Sequence, residues 1–182
     1  MGTSYTSDQW QRAIRISNSS TKSINLWELN QKIVLRWYLT PYRISKFSPQ
    51  ASPLCWRRCG LVGTLFHILW ECPVIRPVWE EIFSLAARVT GVEVPLSPGL
   101  AVLSLGLEFF SKTNRAVISH ILMSTRLAIT RHWRDHTAPT MREIITTTST
   151  HIDYERMFAA SQGRAMEAHG RWRAWTEWFS EI

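Results

Sequence analysis

The sequence predicts a mainly α-helical protein with little or no β-sheet, arranged as a small helical module followed by a helical bundle. Three observations carry this prediction. Apolar residues recur three and four positions apart through most of the chain, with no internal repeat, heptad or low-complexity tract. Proline and glycine fall where helices start and stop. All three cysteines lie within residues 55–72, joined there by a histidine, so a small module has its own means of being held together. With 182 residues, 45% of them hydrophobic, and ten tryptophans, the chain can bury one substantial core or two small ones. The organisation expected is a short N-terminal helix and linker at 1–22, a helical module at 23–91, a connector at 92–112 and a bundle at 113–182.

Taken in order, Ser7-Asp8 is a helix start signal, and Trp10, Ala13, Ile14 and Ser17 then keep i, i+3, i+4, i+7 spacing before the polar hinge at 18–21. Residues 23–39 carry Ile24, Trp27, Val34, Trp37 and Tyr38, interleaved with Lys32 and Arg36. This reads as a helix stopped by Thr40-Pro41, and Pro41 opens a short turn through Lys46. Two prolines make residues 48–53 a connector. Val74, Val78, Ile82, Leu85 and Val89 follow helical spacing, with Pro77 in the first turn and Gly91 as terminator. Residues 92–106 hold Pro95, Pro98, Gly99 and Gly106 and read as a loop with one short extended piece and a soft domain boundary.

Asn114 is expected to cap a helix from 115 to about 133, with Val117, Ile121, Leu127 and Ala128 inward and Arg115, Arg126, Arg131 and Arg134 outward. Pro139 opens another helix through Ala160, although the β-branched run at 146–150 weakens it. Gly163 separates that helix from a terminal one with Ala168, Trp172, Trp175 and Phe179 on its apolar face. Most of the tryptophans sit beside aliphatic residues at helical spacing, which favours core positions over exposed stacking surfaces.

The cysteine cluster has the spacing C-x3-C-x7-H-x4-C, formed by Cys55, Cys59, His67 and Cys72. Four soft or borderline ligands in two close pairs, separated by a turn with Gly60 and Gly63, match the needs of a tetrahedral Zn²⁺ site. Ordinary buried thiols would not cluster in this way, and an odd cysteine count disfavours a disulfide framework. Four protein ligands leave no coordination position for water or substrate, so one structural zinc per chain is expected. Thr64 can cap a short helix carrying His67, closed off by Pro73. Cys72 lies five positions on, about 140° around an ideal α-helix, so the two residues reach one ion only if that helix unwinds near Cys72. His132 and His136, four apart, are expected to be exposed or capping.

The net charge is +7 and unevenly spread: +4 over residues 41–76 and +5 over 111–142, against −3 over 77–110 and −2 over 143–182. Basic stripes of this kind are what a phosphate-backbone binder carries, and solvated helix faces are the bland alternative. Arg57 and Arg58 fall inside the first ligand interval, where zinc would fix their direction, with Arg43, Lys46 and Arg76 as neighbours in a nucleic-acid surface. Trp56 either stacks on an unpaired base or seals the metal from water. No apolar run is long enough for a membrane span, and Met1-Gly2-Thr3-Ser4 lacks the features of a signal peptide, so an intracellular protein with no small-molecule substrate is expected. No nucleophile and base stand at motif spacing, which argues against a stand-alone enzyme.

The run at 33–41, the cluster at 55–72, the exit Cys72-Pro73-Val74-Ile75-Arg76-Pro77-Val78-Trp79 and the later Ala138-Pro139-Thr140-Met141 resemble the C-terminal region of the reverse-transcriptase polyprotein of LINE-type non-LTR retrotransposons. The likeness is strongest over residues 24–79 and looser beyond 91. It implies a non-catalytic piece of a larger enzyme that works beside upstream reverse-transcriptase domains, holds RNA or DNA during target-primed reverse transcription, and resides in nucleus and cytoplasm as ribonucleoprotein. A polymerase Tyr-x-Asp-Asp box is absent, and Asp8, Asp135 and Asp153 are isolated, so nothing here holds the two Mg²⁺ ions of nucleotide addition. Two further readings stay open: a protein-docking domain whose tryptophan-rich helices make the contact, and a truncated element copy without a role of its own.

Overall fold

A computed structural model describes residues 5–181; the reading of Met1 to Ser4 falls outside them. The fold is mainly α, and the only β feature among the described residues is an antiparallel bridge between Leu54 and Val62. In chain order the α-helices are α1 (Ser7–Ser19), α2 (Ile24–Val34), α3 (Pro41–Ser45), α4 (Arg76–Thr90), α5 (Pro98–Leu103), α6 (Lys112–Arg131), α7 (Met141–Ser161) and α8 (Ala165–Ser180). A π-helical turn, His67–Glu71, lies between α3 and α4, and a 3₁₀ turn, Leu107–Phe109, precedes α6.

Local chemistry explains most boundaries. A capping box opens α1: the Thr6 hydroxyl accepts from the Gln9 N–H, and the Thr6 N–H donates to Gln9 Oε1 at 2.8 Å. Thr40 and Thr140 cap α3 and α7 in the same manner. Ser111, and not Asn114, caps α6, its hydroxyl accepting from the Asn114 N–H at 3.2 Å. Gly91 ends α4 in the left-handed conformation at φ 68°, where a side chain would be strained.

Two elements depart from the sequence reading. Helix α2 stops at Val34, and Arg36 turns left-handed at φ 52°, which leaves Trp37 71% exposed. Its inward face is Leu26, Leu29, Asn30, Ile33 and Val34; of the apolar residues expected inward on it, Val34 is buried, whereas Ile24 and Trp27 point outward. The polar Asn30 in the middle of the buried face hides that face from a hydrophobicity pattern. Within 92–106, expected as loop, Pro98 starts α5, and Gly99 through Leu103 are all buried. A proline reads as a breaker in a sequence, yet at the first helical position its missing N–H costs nothing.

The buried side chains form one cluster running from Ala13 of α1 to Trp175 of α8, with α5 and Leu107 inside it. Helix α6 is central and packs on α2, α4, α7 and α8. Its Arg126, expected outward, is 1% exposed. The guanidinium donates to the Ala101 carbonyl at 2.8 Å, Asn30 Oδ1 at 3.0 Å and Ser104 Oγ at 3.1 Å, so one side chain ties α2, α5 and α6 together. Burial pulls Arg126 down to about 9. A second buried network joins the hinge after α1 to α6 and α7. Glu155 accepts from Thr21 Oγ1 and the Lys22 N–H, both at 2.6 Å, and lies 3.3 Å from His120 Nε2. His151 Nδ1 sits 2.9 Å from Ser23 Oγ.

Arg126→Met should lower stability by about 3 kcal/mol, because three buried acceptors lose their donor, and urea unfolding measures the loss. Acid should act through the second network. Burial, with help from His120 and Arg131, lowers His151 to about 4, below the 6.5 of the unfolded chain. For Glu155, burial would raise the carboxyl, but hydrogen bonds from His120, Thr21 and Lys22 outweigh it and hold the group at about 2, below 4.5. In both cases the unfolded chain binds the extra proton. Stability should therefore fall as pH drops from 6.5 through 4 for His151, and from 4.5 toward 2 for Glu155. Unfolding free energies from urea titrations at pH 7 and pH 5 should differ by about 2 kcal/mol, and His151→Gln should shrink that difference.

Candidate metal centre

Two pieces of backbone present the four ligands. The first is a tight hairpin in which the Cys55 N–H bonds to the Leu61 carbonyl at 2.8 Å and the Gly63 N–H to the Pro53 carbonyl at 2.9 Å. Its tip turns through left-handed Arg58 and Gly60, at φ 57° and 80°, and this places Cys55 and Cys59 on the same side. Gly63 lets the hairpin seat against α3: a Cβ there would stand 2.6 Å from Pro41 Cγ, and the Tyr42 N–H reaches the Gly63 carbonyl at 3.3 Å.

The second piece begins with Thr64, whose hydroxyl accepts from the His67 N–H at 3.0 Å, as the sequence predicts. The helix that follows widens before it ends. From His67 to Glu71 it is a π turn, and the Cys72 N–H bonds to the His67 carbonyl at 2.9 Å, five residues back. In a π turn residues five apart stack much as residues four apart do in an α-helix, so most of the offset that an α-helix would impose between His67 and Cys72 is removed. Cys72 then leaves the helix at ψ 126°.

The result brings together all four predicted ligands. Cys55 Sγ and Cys72 Sγ are 4.0 Å apart, Cys59 Sγ and His67 Nε2 are 3.2 Å apart, and all four ligand atoms lie within 4.8 Å of one another. A tetrahedral ion with bonds of about 2.3 Å to sulfur and 2.0–2.1 Å to nitrogen would set these edges at about 3.8 Å and 3.6 Å. The thiols are free, three of the four residues are buried, and Cys59 is half-buried. Burial pushes the Cys55 thiol up to about 12, and the neighbouring Cys72 and Cys59 add to the rise. Burial also holds His67 below its ordinary value, Arg57 adding to the effect and Glu71 opposing it. A neutral imidazole is the form that binds a metal, and a cation among the sulfurs would remove the penalty on the thiolates. The four side chains are therefore compatible with a metal site.

A second layer fixes the π turn. The carbonyls of Ile68 and Leu69 accept from Arg57 Nη1 at 3.0 Å and Trp79 Nε1 at 2.7 Å. The indole belongs to α4, so the ligand-bearing turn is bonded directly to the core. Nothing in the sequence pattern marks Arg57 or Trp79 for this role.

The basic residues expected to face nucleic acid are mostly oriented by contacts within the chain, and only Arg57 is withdrawn from the surface. Arg57 is 4% exposed and points inward, against the expectation that it meets phosphates; its own knuckle supplies the carbonyl it binds. Arg43 closes the loop between α2 and α3 by donating to the carbonyls of Arg36 and Tyr38. Lys46 lies over the Tyr42 ring at 4.7 Å. Arg76 covers the Trp70 ring at 4.5 Å and pairs with Glu80 at 3.2 Å. Trp56 is half-buried, edge-on to Trp133 at 6.0 Å and beneath the Arg134 guanidinium at 5.5 Å, while its carbonyl accepts from His136 Nδ1 at 2.7 Å. Arg58 is exposed, and among the described residues its side chain has no hydrogen-bond or ion-pair partner. His132 is held between Asp135 at 2.7 Å and Glu143 at 2.8 Å, a capping arrangement apart from the cluster.

No protein-family model matches the chain. No helix among the described residues is long and apolar enough to cross a membrane.

Gly63→Ala should destabilise the protein by about 1–3 kcal/mol, since the new methyl group meets Pro41 backed by α3. It should also raise the reactivity of the three thiols toward a colorimetric thiol reagent, since seating the hairpin brings Cys55 and Cys59 to the other ligands.

Proposed function

We propose that this chain is a non-catalytic, zinc-stabilised nucleic-acid-binding module. The observation that carries the reading is the set Cys55, Cys59, His67 and Cys72, three of them buried, with ligand atoms within 4.8 Å of one another. Three sulfurs and one imidazole at these separations suit zinc above harder cations, and a closed four-ligand shell stabilises structure without activating water. The net charge of +7 supports a polyanionic partner. So does exposed Arg58 at the knuckle tip, which lines a cleft with Trp56, the ring that Arg134 covers. The resemblance to the C-terminal region of LINE-type reverse transcriptases supplies the context: RNA or target DNA held for target-primed reverse transcription, with upstream domains of the same polyprotein as neighbours.

A second reading, a docking domain for another protein, draws on a different observation. Leu35, Trp37 and Leu39 after α2, and Phe47 after α3, are each more than half exposed. Salt separates the two readings, because phosphate contacts weaken steeply as salt rises and an apolar interface does not.

Native mass spectrometry should find one zinc per chain, and Cys59→Ser should lose it; unchanged metal content in that variant would end the four-ligand assignment. Titrations with single-stranded RNA at two salt concentrations should show a steep salt dependence. Arg58→Ala combined with Arg134→Ala should flatten the slope by about one to two while leaving zinc in place. Arg57→Ala, in contrast, should act on stability and metal retention, because its guanidinium holds the Ile68 carbonyl.

A further inference from the structure

A cavity of about 670 Å³ lies between α1, the 3₁₀ turn, α6 and α8. Four cations line it, Arg12, Lys112, Arg115 and Arg171, against one carboxylate, Glu108. Glu108 is committed: it pairs with Arg12 at 2.7 Å and accepts from the Gly106 N–H at 3.0 Å. Arg115 is fixed by donating through Nε and Nη2 to the carbonyls of Leu107, Glu108 and Phe110, contacts that orient the guanidinium without neutralising it. Arg171 is paired with Glu167 on its own helix. Lys112 has no ion-pair partner among the described residues.

Ser119 also lines the cavity, and it supplies an independent pointer to a ligand. The residue is 4% exposed, and its hydroxyl has no hydrogen-bond partner. A buried hydroxyl left unpaired is costly unless something it can bond to enters the space beside it. Ser19, Ser20 and Arg171 are shared with an adjoining cleft that adds Lys22 and Arg164 together with the carboxylates Glu155 and Glu167, so the excess of positive charge belongs to the first cavity.

We propose that this pocket binds phosphate groups, with the cations of α1, α6 and α8 holding the charge and the Ser119 hydroxyl donating to a phosphoryl oxygen. A pocket of this size accommodates a nucleotide unit. For the source of the phosphate the inference rests on the nucleic-acid reading; a free polyphosphate offers the same chemistry.

The test compares full-length wild type with Lys112→Glu combined with Arg171→Glu, and with a control of equal charge change, Arg88→Glu combined with Arg142→Glu, whose residues are exposed and do not line the pocket. Each protein is titrated with a short single-stranded RNA and, separately, with inorganic tripolyphosphate, after zinc content and thermal unfolding show that the fold is intact. The pocket variant should lose RNA affinity at least about tenfold at low salt relative to the control, and its salt slope should be shallower by about 1.4, two contacts at about 0.7 each. If wild type binds tripolyphosphate but no RNA, and the pocket variant binds neither, the pocket assignment stands with a free phosphate ligand and the nucleic-acid reading falls. If wild type binds RNA and the pocket variant matches the control, the pocket assignment is overturned and the nucleic-acid reading survives. Binding of neither ligand by wild type overturns both.

Discussion

The hydrogen bond from the Cys72 N–H to the His67 carbonyl, 2.9 Å long and spanning five residues, is the constraint on which the rest of the amino-terminal half depends. An α-helical turn would place Cys72 on a different face from His67, and the cluster would then have three members in reach of one another and one outside. Widening the turn aligns the two residues but leaves the carbonyls of Ile68 and Leu69 to find other donors. Both donors come from outside the turn: Arg57 from the hairpin that carries the first two cysteines, and Trp79 from α4. The same contacts that stabilise an unusual piece of backbone therefore bind the two halves of the ligand set to each other and to the core. A metal bound by the cluster would therefore be coupled to the folding of the surrounding helices.

Polar groups inside the helical core work in a related way. Arg126 and Glu155 are buried with donors and acceptors drawn from several helices, and each set of partners exists in only one arrangement of those helices. An apolar core tolerates sliding of one helix on another at modest cost, whereas a displaced guanidinium or carboxylate loses its partners while still buried. Arg126 also explains why α5 forms at all. A six-residue helix has little intrinsic stability, but its Ala101 carbonyl and the Ser104 hydroxyl just beyond its end are both taken up by the guanidinium.

The sequence was most informative where punctuation or spacing constrained the backbone. Thr64, Gly91, Gly163 and the prolines at 41 and 77 mark ends that the structure keeps, and the C-x3-C-x7-H-x4-C spacing named four side chains that do converge. It was least informative about which way a charged or mixed face points. Arg57 and Arg126 read as surface residues because isolated charges belong in water, and nothing local reveals that unpaired carbonyls await them in the interior. Helix α2 was misoriented for the complementary reason: its buried face contains Asn30, a polar residue whose partner lies 96 positions away. Long-range polar pairing leaves no periodic trace, so such errors cluster at the residues that the interior network recruits.

The position of Arg57 gains a further reason under the zinc reading. Three thiolates and one imidazole around a dication carry a net charge of −1, and burying an uncompensated charge is expensive. Arg57 lies within the first ligand interval, is itself buried, acts electrostatically on His67, and makes one hydrogen bond while Nε and Nη2 stay without partners. A guanidinium so sparsely bonded is costly to bury beside neutral thiols, where it would also depress the affinity of His67 for a proton. Beside a metal–thiolate centre of opposite charge the same placement is favourable, and cation and cluster offset each other's desolvation. Under the zinc reading, the arginine expected to meet a phosphate outside is instead the counter-ion of the centre it was expected only to flank.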